Sequence, residues 1–388
     1  MHRALGSVPG VVLACALVTS ANLLVPVLSA DSAQDSVPRH LTGRHLFESE
    51  TFGGNGRTCR TCHSRETGTV SPADAQQRFL TDPDDPLFRA DGSDDGLGHG
   101  IARMLTDATI LMSIPLAPNV SLASDPHARS VVLRRGIPTT LNTPALDPVL
   151  MYDGRQPDLS SQALGAIIDH AQPTRLPTRE DLDLVAEFQQ TRSFFSSSML
   201  FRFARAGRPP ALATGSTDSE RRGRRFFEDV PVSGDSKPGI CATCHSGPML
   251  NETNEFIPVP PLGRGGRFQT VLVSELNAAG NPVIDFLFQN PDGSTAVISS
   301  PDPGRALITG DASDGFQSLN AFKIPTLWGV NKTAPYFHDN SAKTLEDVLR
   351  HYALFFAIVT DPAFDGDPPV ILTEQDQADI IAFLKLLQ

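Results

Sequence analysis

Cys59-Arg60-Thr61-Cys62-His63 and Cys241-Ala242-Thr243-Cys244-His245 decide how this chain is read. Both are C-x-x-C-H, the pattern of covalent c-type haem attachment. Two thiols one helical turn apart can add to the two vinyl groups on one porphyrin edge, and the next residue then projects its imidazole at the iron. The chain holds five cysteines. Four stand in these motifs and the fifth, Cys15, lies near the N-terminus, so none is left for a structural disulfide. Zinc and thiol-redox chemistry are disfavoured by two copies that use every cysteine past residue 15. The expected cofactors are two covalently bound c-type haems, one on Cys59, Cys62 and His63, the other on Cys241, Cys244 and His245.

The surroundings of the motifs repeat. Gly43-Arg44-His45-Leu46-Phe47-Glu48 begins 16 residues before Cys59, and Gly223-Arg224-Arg225-Phe226-Phe227-Glu228 begins 18 before Cys241. Each predicts a short amphipathic helix. Capping boxes open a closing helix in each half, at Thr178-Arg179-Glu180-Asp181 before Leu182, Val185 and Phe188, and at Thr373-Glu374-Gln375-Asp376 before Ile380, Phe383 and Leu384. An opening helix, a haem motif and a closing helix make one cytochrome c unit, and two of them imply a duplication. The Gly, Pro, Ser and Thr-rich stretch 206–219 is the expected linker. That gives cytochrome c-like domains at 31–205 and 220–388. Between the second motif and the last helices, Phe268–Val273, Val283–Phe288 and Thr295–Ile298 look like strands, with a hairpin turn at Asn290-Pro291-Asp292-Gly293. The expected fold class is mainly α, with a small β insertion in the second domain.

Residues 1–30 read as a secretory signal. His2 and Arg3 precede a charge-free apolar run, and Leu28-Ser29-Ala30 supplies a small-residue cleavage site. The competing readings are an uncleaved membrane anchor and a lipid attachment at Cys15. Gly6, Pro9, Gly10 and Pro26 favour cleavage, hence a periplasmic protein without stable membrane association. The net charge of −12 becomes −13 once Arg3 leaves. So acidic a chain is a poor match for nucleic acid and a good one for a small basic electron carrier.

The segments Phe322-Lys323-Ile324-Pro325-Thr326-Leu327, Thr333-Ala334-Pro335-Tyr336-Phe337-His338-Asp339 and Thr344-Leu345-Glu346 resemble the di-haem cytochrome c peroxidase family, which includes MauG. Pro138-Thr139-Thr140-Leu141-Asn142, Asp153-Gly154-Arg155 and Gln162-Ala163 with Gly165 carry the likeness into the first half. The resemblance implies a first haem that meets peroxide and a second that stores or passes electrons. It also places the second iron's other ligand 14 residues after His338, at Tyr352, where the peroxidase branch has methionine and the MauG branch tyrosine. Helix periodicity agrees, because Leu345, Val348, Leu349 and Tyr352 share one apolar face. His351 and simple core packing of Tyr352 are the alternatives. Axial phenolate favours ferric and higher states, whereas methionine raises the potential.

Around the first haem, Gln162, Ala166 and His170 fall four apart along one helix face. The resemblance makes this face the peroxide side, but its catalytic glutamate falls at Gln172, which cannot ionise. His170 is the candidate substitute as acid and base; a hydrogen-bonded histidine at a helix end is the plain alternative. Met104 and Met112 are candidates for a sixth ligand or for core packing. His40, His99 and His127 suit surface or local hydrogen bonding. Tyr152 stands where the family has a tryptophan thought to relay electrons, and Trp328 suits packing near the second haem. The family's calcium would use carbonyls at Thr333 and Pro335, but its asparagine is replaced by Gly136, so the sequence leaves calcium open.

These readings lead to a periplasmic peroxidase-like oxidoreductase that takes hydrogen peroxide and electrons from a small cytochrome c or cupredoxin. The alternatives are a non-catalytic di-haem electron carrier and a di-haem oxygenase acting on an organic substrate.

Overall fold

Gly43 and Gly223 each sit where a helix meets another at backbone contact. A Cβ on Gly43 would collide with the carbonyl of Leu184, and one on Gly223 with the carbonyl of Asp379. The helices concerned are Arg39–Glu48 against Arg179–Gln189 in the first half and Asp218–Arg224 against Glu374–Leu384 in the second. The computed structural model describes residues 38–232, 237–257, 263–277, 280–360 and 369–388; the signal segment at 1–30 lies outside them.

The two helix pairs repeat one another residue by residue. Thr178 and Thr373 cap their helices by accepting from the backbone N–H of Asp181 and Asp376, at 3.1 and 3.2 Å. Six residues beyond each cap lies the carbonyl under the glycine, and ten beyond lies Phe188 or Phe383. Phe188 packs 5.6 Å from Phe47, and Phe383 packs 5.2 Å from Phe227, centroid to centroid. Arg44 and Arg224 each reach the glutamate four residues on, at 2.9 and 2.7 Å. The two helix pairs thus share one set of contacts, the pattern that the sequence repeats pointed to.

Alanine has the higher helix propensity by about 1 kcal/mol, so an exposed glycine here would gain from replacement. Backbone contact reverses the sign. Gly43→Ala and Gly223→Ala are each expected to cost roughly 1–3 kcal/mol of stability, the penalty of overpacking. Urea unfolding of the holoprotein checks this, and an unchanged or raised midpoint would refute the close-contact account.

The chain is mainly helical, but the β structure is not confined to the second half as the sequence suggested. In the first half, β1 (Thr109–Pro115) pairs antiparallel with β3 (Ser130–Gly136), and β2 (Val120–Leu122) lies between them in sequence. The predicted hairpin of the second half is present as β5 (Ile284–Gln289) and β6 (Thr295–Ser300), closed by a turn in which Gly293 takes a φ of +85°. β2 adds to β5, with Val120 opposite Phe288, so one sheet draws on both halves. The strand expected at Phe268–Val273 shrinks to β4 (Phe268–Gln269), paired with β7 (Phe322–Lys323). Leu272 then turns the chain with a φ of +56° into the short helix Val273–Leu276.

Three apolar clusters result. One joins Phe47, Phe52, Val185 and Phe188 around the first helix pair. A second joins Phe227, Trp328, Leu349 and Phe383 around the other pair. The third holds the sheets together through Met104, Met112, Leu133, Phe286 and Phe288. Pro209, Pro210 and Leu212 of the 206–219 stretch line an opening beside His245. No helix among the described residues is long and apolar enough to cross a membrane.

Candidate functional site

Cys59–Cys62 forms one helical turn, and the backbone N–H of His63 closes it on the Cys59 carbonyl at 3.0 Å. His63 Nδ1 lies 2.8 Å from the carbonyl of Gly68. A carbonyl only accepts, so Nδ1 carries the proton and Nε2 is the free nitrogen. The second motif repeats this arrangement. His245 N–H bonds to the Cys241 carbonyl at 2.8 Å, and His245 Nδ1 donates to the Leu250 carbonyl at 2.8 Å. Each histidine is thus anchored to the carbonyl five residues after it.

Burial drives both imidazoles down to about 4, against the raising effect of these backbone bonds, and so keeps them neutral, as a metal ligand must be. Burial, with the neighbouring thiol, pushes Cys59 up to about 12; burial alone pushes Cys244 up to about 11, and Cys62 and Cys241 move the same way. Thiols held protonated are the opposite of what a thiolate metal cage or a redox pair requires.

Above His63 lies a cavity of about 620 Å³, its open mouth included. Cys59, Cys62 and His63 line one side, and Gln162, Ala166 and His170 line another, so the helix face read from the sequence does turn toward the first motif. Two thiols one turn apart, a neutral imidazole with Nε2 free and this cavity fit a covalently held haem.

The helix Leu159–Ala166 runs into a π-helical turn at Ile167–Ala171 that carries His170. Gln172 ends the turn in the left-handed region, φ +50°, outside the cavity lining. Asn55 pins this segment, its N–H to the Ala171 carbonyl at 2.8 Å and its Nδ2 to the His170 carbonyl at 2.9 Å. His170 Nδ1 bonds to Asp91 Oδ2 at 2.5 Å, and Asp91 also pairs with Arg57.

Sequence reasoning missed Asp91, Arg57 and the buried, cavity-lining Gln189. Gln189 alone had a signal, one turn after Val185 on the closing helix. Met104 and Met112 lie in the sheet core and do not line the cavity, so packing is their use. His40, His99 and His127 are exposed, and His99 bonds locally to Asp95.

At the second site His351 has both ring nitrogens engaged. Nε2 donates to the Val271 carbonyl at 2.7 Å, and Nδ1 accepts from Asn277 Nδ2 at 3.3 Å. Tyr352, on the helix Leu345–Val359, packs among Phe337, Phe355 and Phe356. Burial, then the adjacent Cys244 and Cys241 thiols, push its phenol up. Tyr352 Oη has no hydrogen-bond partner among the described residues. Trp328 is buried, donates to the Pro248 carbonyl at 3.0 Å and lines the opening next to His245.

Tyr152 lies outside the first cavity, its ring 6.5 Å from that of His338, which stacks on Phe322 at 3.6 Å. Asp153 of the Asp-Gly-Arg segment pairs with Arg135 at 2.6 Å and Arg155 at 2.8 Å. A Cβ at Gly136 would meet the Asn340 carboxamide, whose Nδ2 donates to the Asp107 and Ala108 carbonyls at 2.9 and 3.0 Å. A side-chain oxygen thus stands beside Gly136, supplied by a different residue.

No family model matches the chain. It is 26% identical over 267 residues to the cytochrome c551 peroxidase of Nitrosomonas europaea, covering 64% of each protein. The chain therefore spans about two thirds or slightly less of that relative's length. Among solved structures it is similar to a MauG-like protein associated with microbial copper homeostasis, at 20% identity and a TM-score of 0.49, over 94% of this chain and 91% of that one. It is also similar to the diheme peroxidase BthA of Burkholderia thailandensis, at 16% identity and a TM-score of 0.49, over 90% and 85%. The curated relative and the two motifs in their expected order agree, and together they support kinship with the di-haem cytochrome c peroxidase family.

Proposed function

We propose that the chain is a periplasmic di-haem c-type oxidoreductase, built as two cytochrome c-like domains, that reduces hydrogen peroxide at its first haem. His245 and Tyr352 would hold a second haem, which would pass on electrons from a small donor such as a cytochrome c or cupredoxin. The cavity that sets His63 opposite Gln162, Ala166 and His170 carries this reading. Bound there, the haem would supply the redox-active iron.

The chain's own part is to bind peroxide and handle protons. Hydrogen peroxide, two electrons and two protons give two waters. His170 Nε2 takes the proton from one peroxide oxygen and returns it to the other, while the Gln162 amide orients the molecule in the cavity. Tyr152, packed beside His338, is the candidate relay. At the second site the double hydrogen bonding of His351 favours Tyr352 as the ligand, since its phenol oxygen is uncommitted and faces the thiols.

One observation favours the electron-carrier alternative. An imidazole whose Nδ1 is backed by a carboxylate, as in His170, is also how metal-ligating histidines are commonly set. Electron paramagnetic resonance and resonance Raman spectra of the ferric holoprotein separate the two. The peroxidase reading expects one high-spin and one low-spin haem, phenolate vibrations lost in Tyr352→Phe, and peroxide consumption that depends on a reduced donor. Two low-spin haems without peroxide consumption would leave the carrier.

A further inference from the structure

We infer that Asp91, clamped by Arg57, is a positioning residue that holds the His170 ring with Nε2 turned to the first cavity. This deepens the reading of His170 given above and rests on it.

Two almost completely buried arginines are spent on the short turn Ala90–Gly92 and its flanks. Arg57, 2% exposed, donates to the carbonyls of Pro86 at 2.8 Å, Leu87 at 2.9 Å and Arg89 at 2.5 Å, besides its pair with Asp91. Arg103, 5% exposed, donates to the Asp91 carbonyl at 2.9 Å and to the carbonyls of Ser93 and Thr109. A Cβ at Gly92 would collide with the Leu87 carbonyl and the Arg57 guanidinium, so the turn is packed to contact. Burying guanidinium groups is costly even when they are paired. What the turn presents in return is one carboxylate, and it faces His170.

The carboxylate decides the state of the ring. Burial raises the Asp91 carboxyl, but the bond and charge of His170 and the Arg57 guanidinium outweigh it and hold the group below its usual range. An ionised Asp91 can only accept, so His170 Nδ1 must carry a proton and Nε2 is the nitrogen left for the cavity. The same charge steadies the ring when Nε2 takes a second proton. Arg57 also lends a weak 3.4 Å bond to the His170 carbonyl, tying ring and backbone to one clamp.

Cyanide binding to the ferric holoprotein, followed optically, is the test. Hydrogen cyanide that delivers its anion to an open first-site iron leaves a proton, and His170 Nε2 is placed to take it. Asp91→Asn is expected to weaken cyanide binding and slow peroxide turnover about 10–100-fold, as loss of partners behind a functional histidine does. In a His170→Ala background the same substitution is expected to change either by less than about twofold, because residues acting through one another are not additive. Asp91→Glu, which keeps the charge, restores the cyanide affinity. Arg57 keeps its four carbonyl acceptors in Asp91→Asn, so the turn retains its clamp. Equal losses in both backgrounds, or a lowered unfolding midpoint with cyanide affinity untouched, would overturn the inference. The cycle needs no peroxide turnover, so it scores Asp91 even in a protein that fails the peroxidase test.

Discussion

His170→Ala is expected to lower kcat/KM for hydrogen peroxide roughly 10²–10⁴-fold, the usual worth of a positioned acid-base group. That corresponds to about 3–5 kcal/mol of transition-state stabilisation. The size follows from what else lines the cavity. Gln162 and Gln189 cannot ionise, Ala166 and Ala171 have no polar side chain, and Gln172 lies outside. Glu50 is the one carboxyl group among these lining residues, and it accepts from the backbone N–H of Phe52 at 2.6 Å. Gln172→Ala is the control and is expected to leave turnover unchanged. Unaltered peroxide consumption in His170→Ala would remove the acid-base role. A first haem that turns from low-spin to high-spin in this variant would instead make His170 an iron ligand.

The largest stability effect is expected at Arg135. It is 1% exposed and joins three distant segments: its own strand β3, Asp153 at 2.6 Å and Asp302 at 2.8 Å. A second bond, from Nη2 to Asp302 at 2.9 Å, makes that pair bidentate. Arg135→Met leaves Asp302 buried beside only the His338 ring, 3.7 Å away and kept neutral by its own burial, and leaves Asp153 to Arg155 alone. Breaking a buried pair from one side costs about 3–5 kcal/mol. Replacing Arg135, Asp153 and Asp302 together by apolar or neutral groups of similar volume is expected to cost much less, because no orphaned charge remains.

The pH dependence has a definite sign. In the native protein burial raises both carboxyls but Arg135 outweighs it, so their pKa values are lowered. Their contribution is present above the ordinary carboxylate range and lost as pH falls below it. Without Arg135 burial raises the Asp302 carboxyl, and the variant then loses stability as pH rises. The gap between variant and parent in urea unfolding should therefore narrow from pH 7 toward pH 4. A constant gap would refute this account.

What the sequence showed plainly was whatever local chemistry dictates. The haem motifs, both capping boxes and the Gln162, Ala166 and His170 face need only neighbours within a few turns. The strands of the first half were less legible for an identifiable reason. Along β3 the inward positions are Val131, Leu133 and Arg135, and a buried arginine breaks the apolar alternation by which a strand is read. In β1 the inward Ile110, Met112 and Ile114 did alternate, but Met112 also fitted a search for haem ligands. Asp91 was out of reach because its partner is 79 residues away, and Asp302 because its partner is 167 away. No periodicity connects such positions; only the folded chain brings them together.

The matching anchors behind His63 and His245 carry one more consequence. A carbonyl at 2.8 Å sets each imidazole's basicity, and it does so equally in both halves. Seen from that side the two irons would be twins, with the same electron push. On the function proposed above, the difference between the two centres would then come from their other neighbours, Gln162, Ala166 and His170 in one half and Tyr352 in the other.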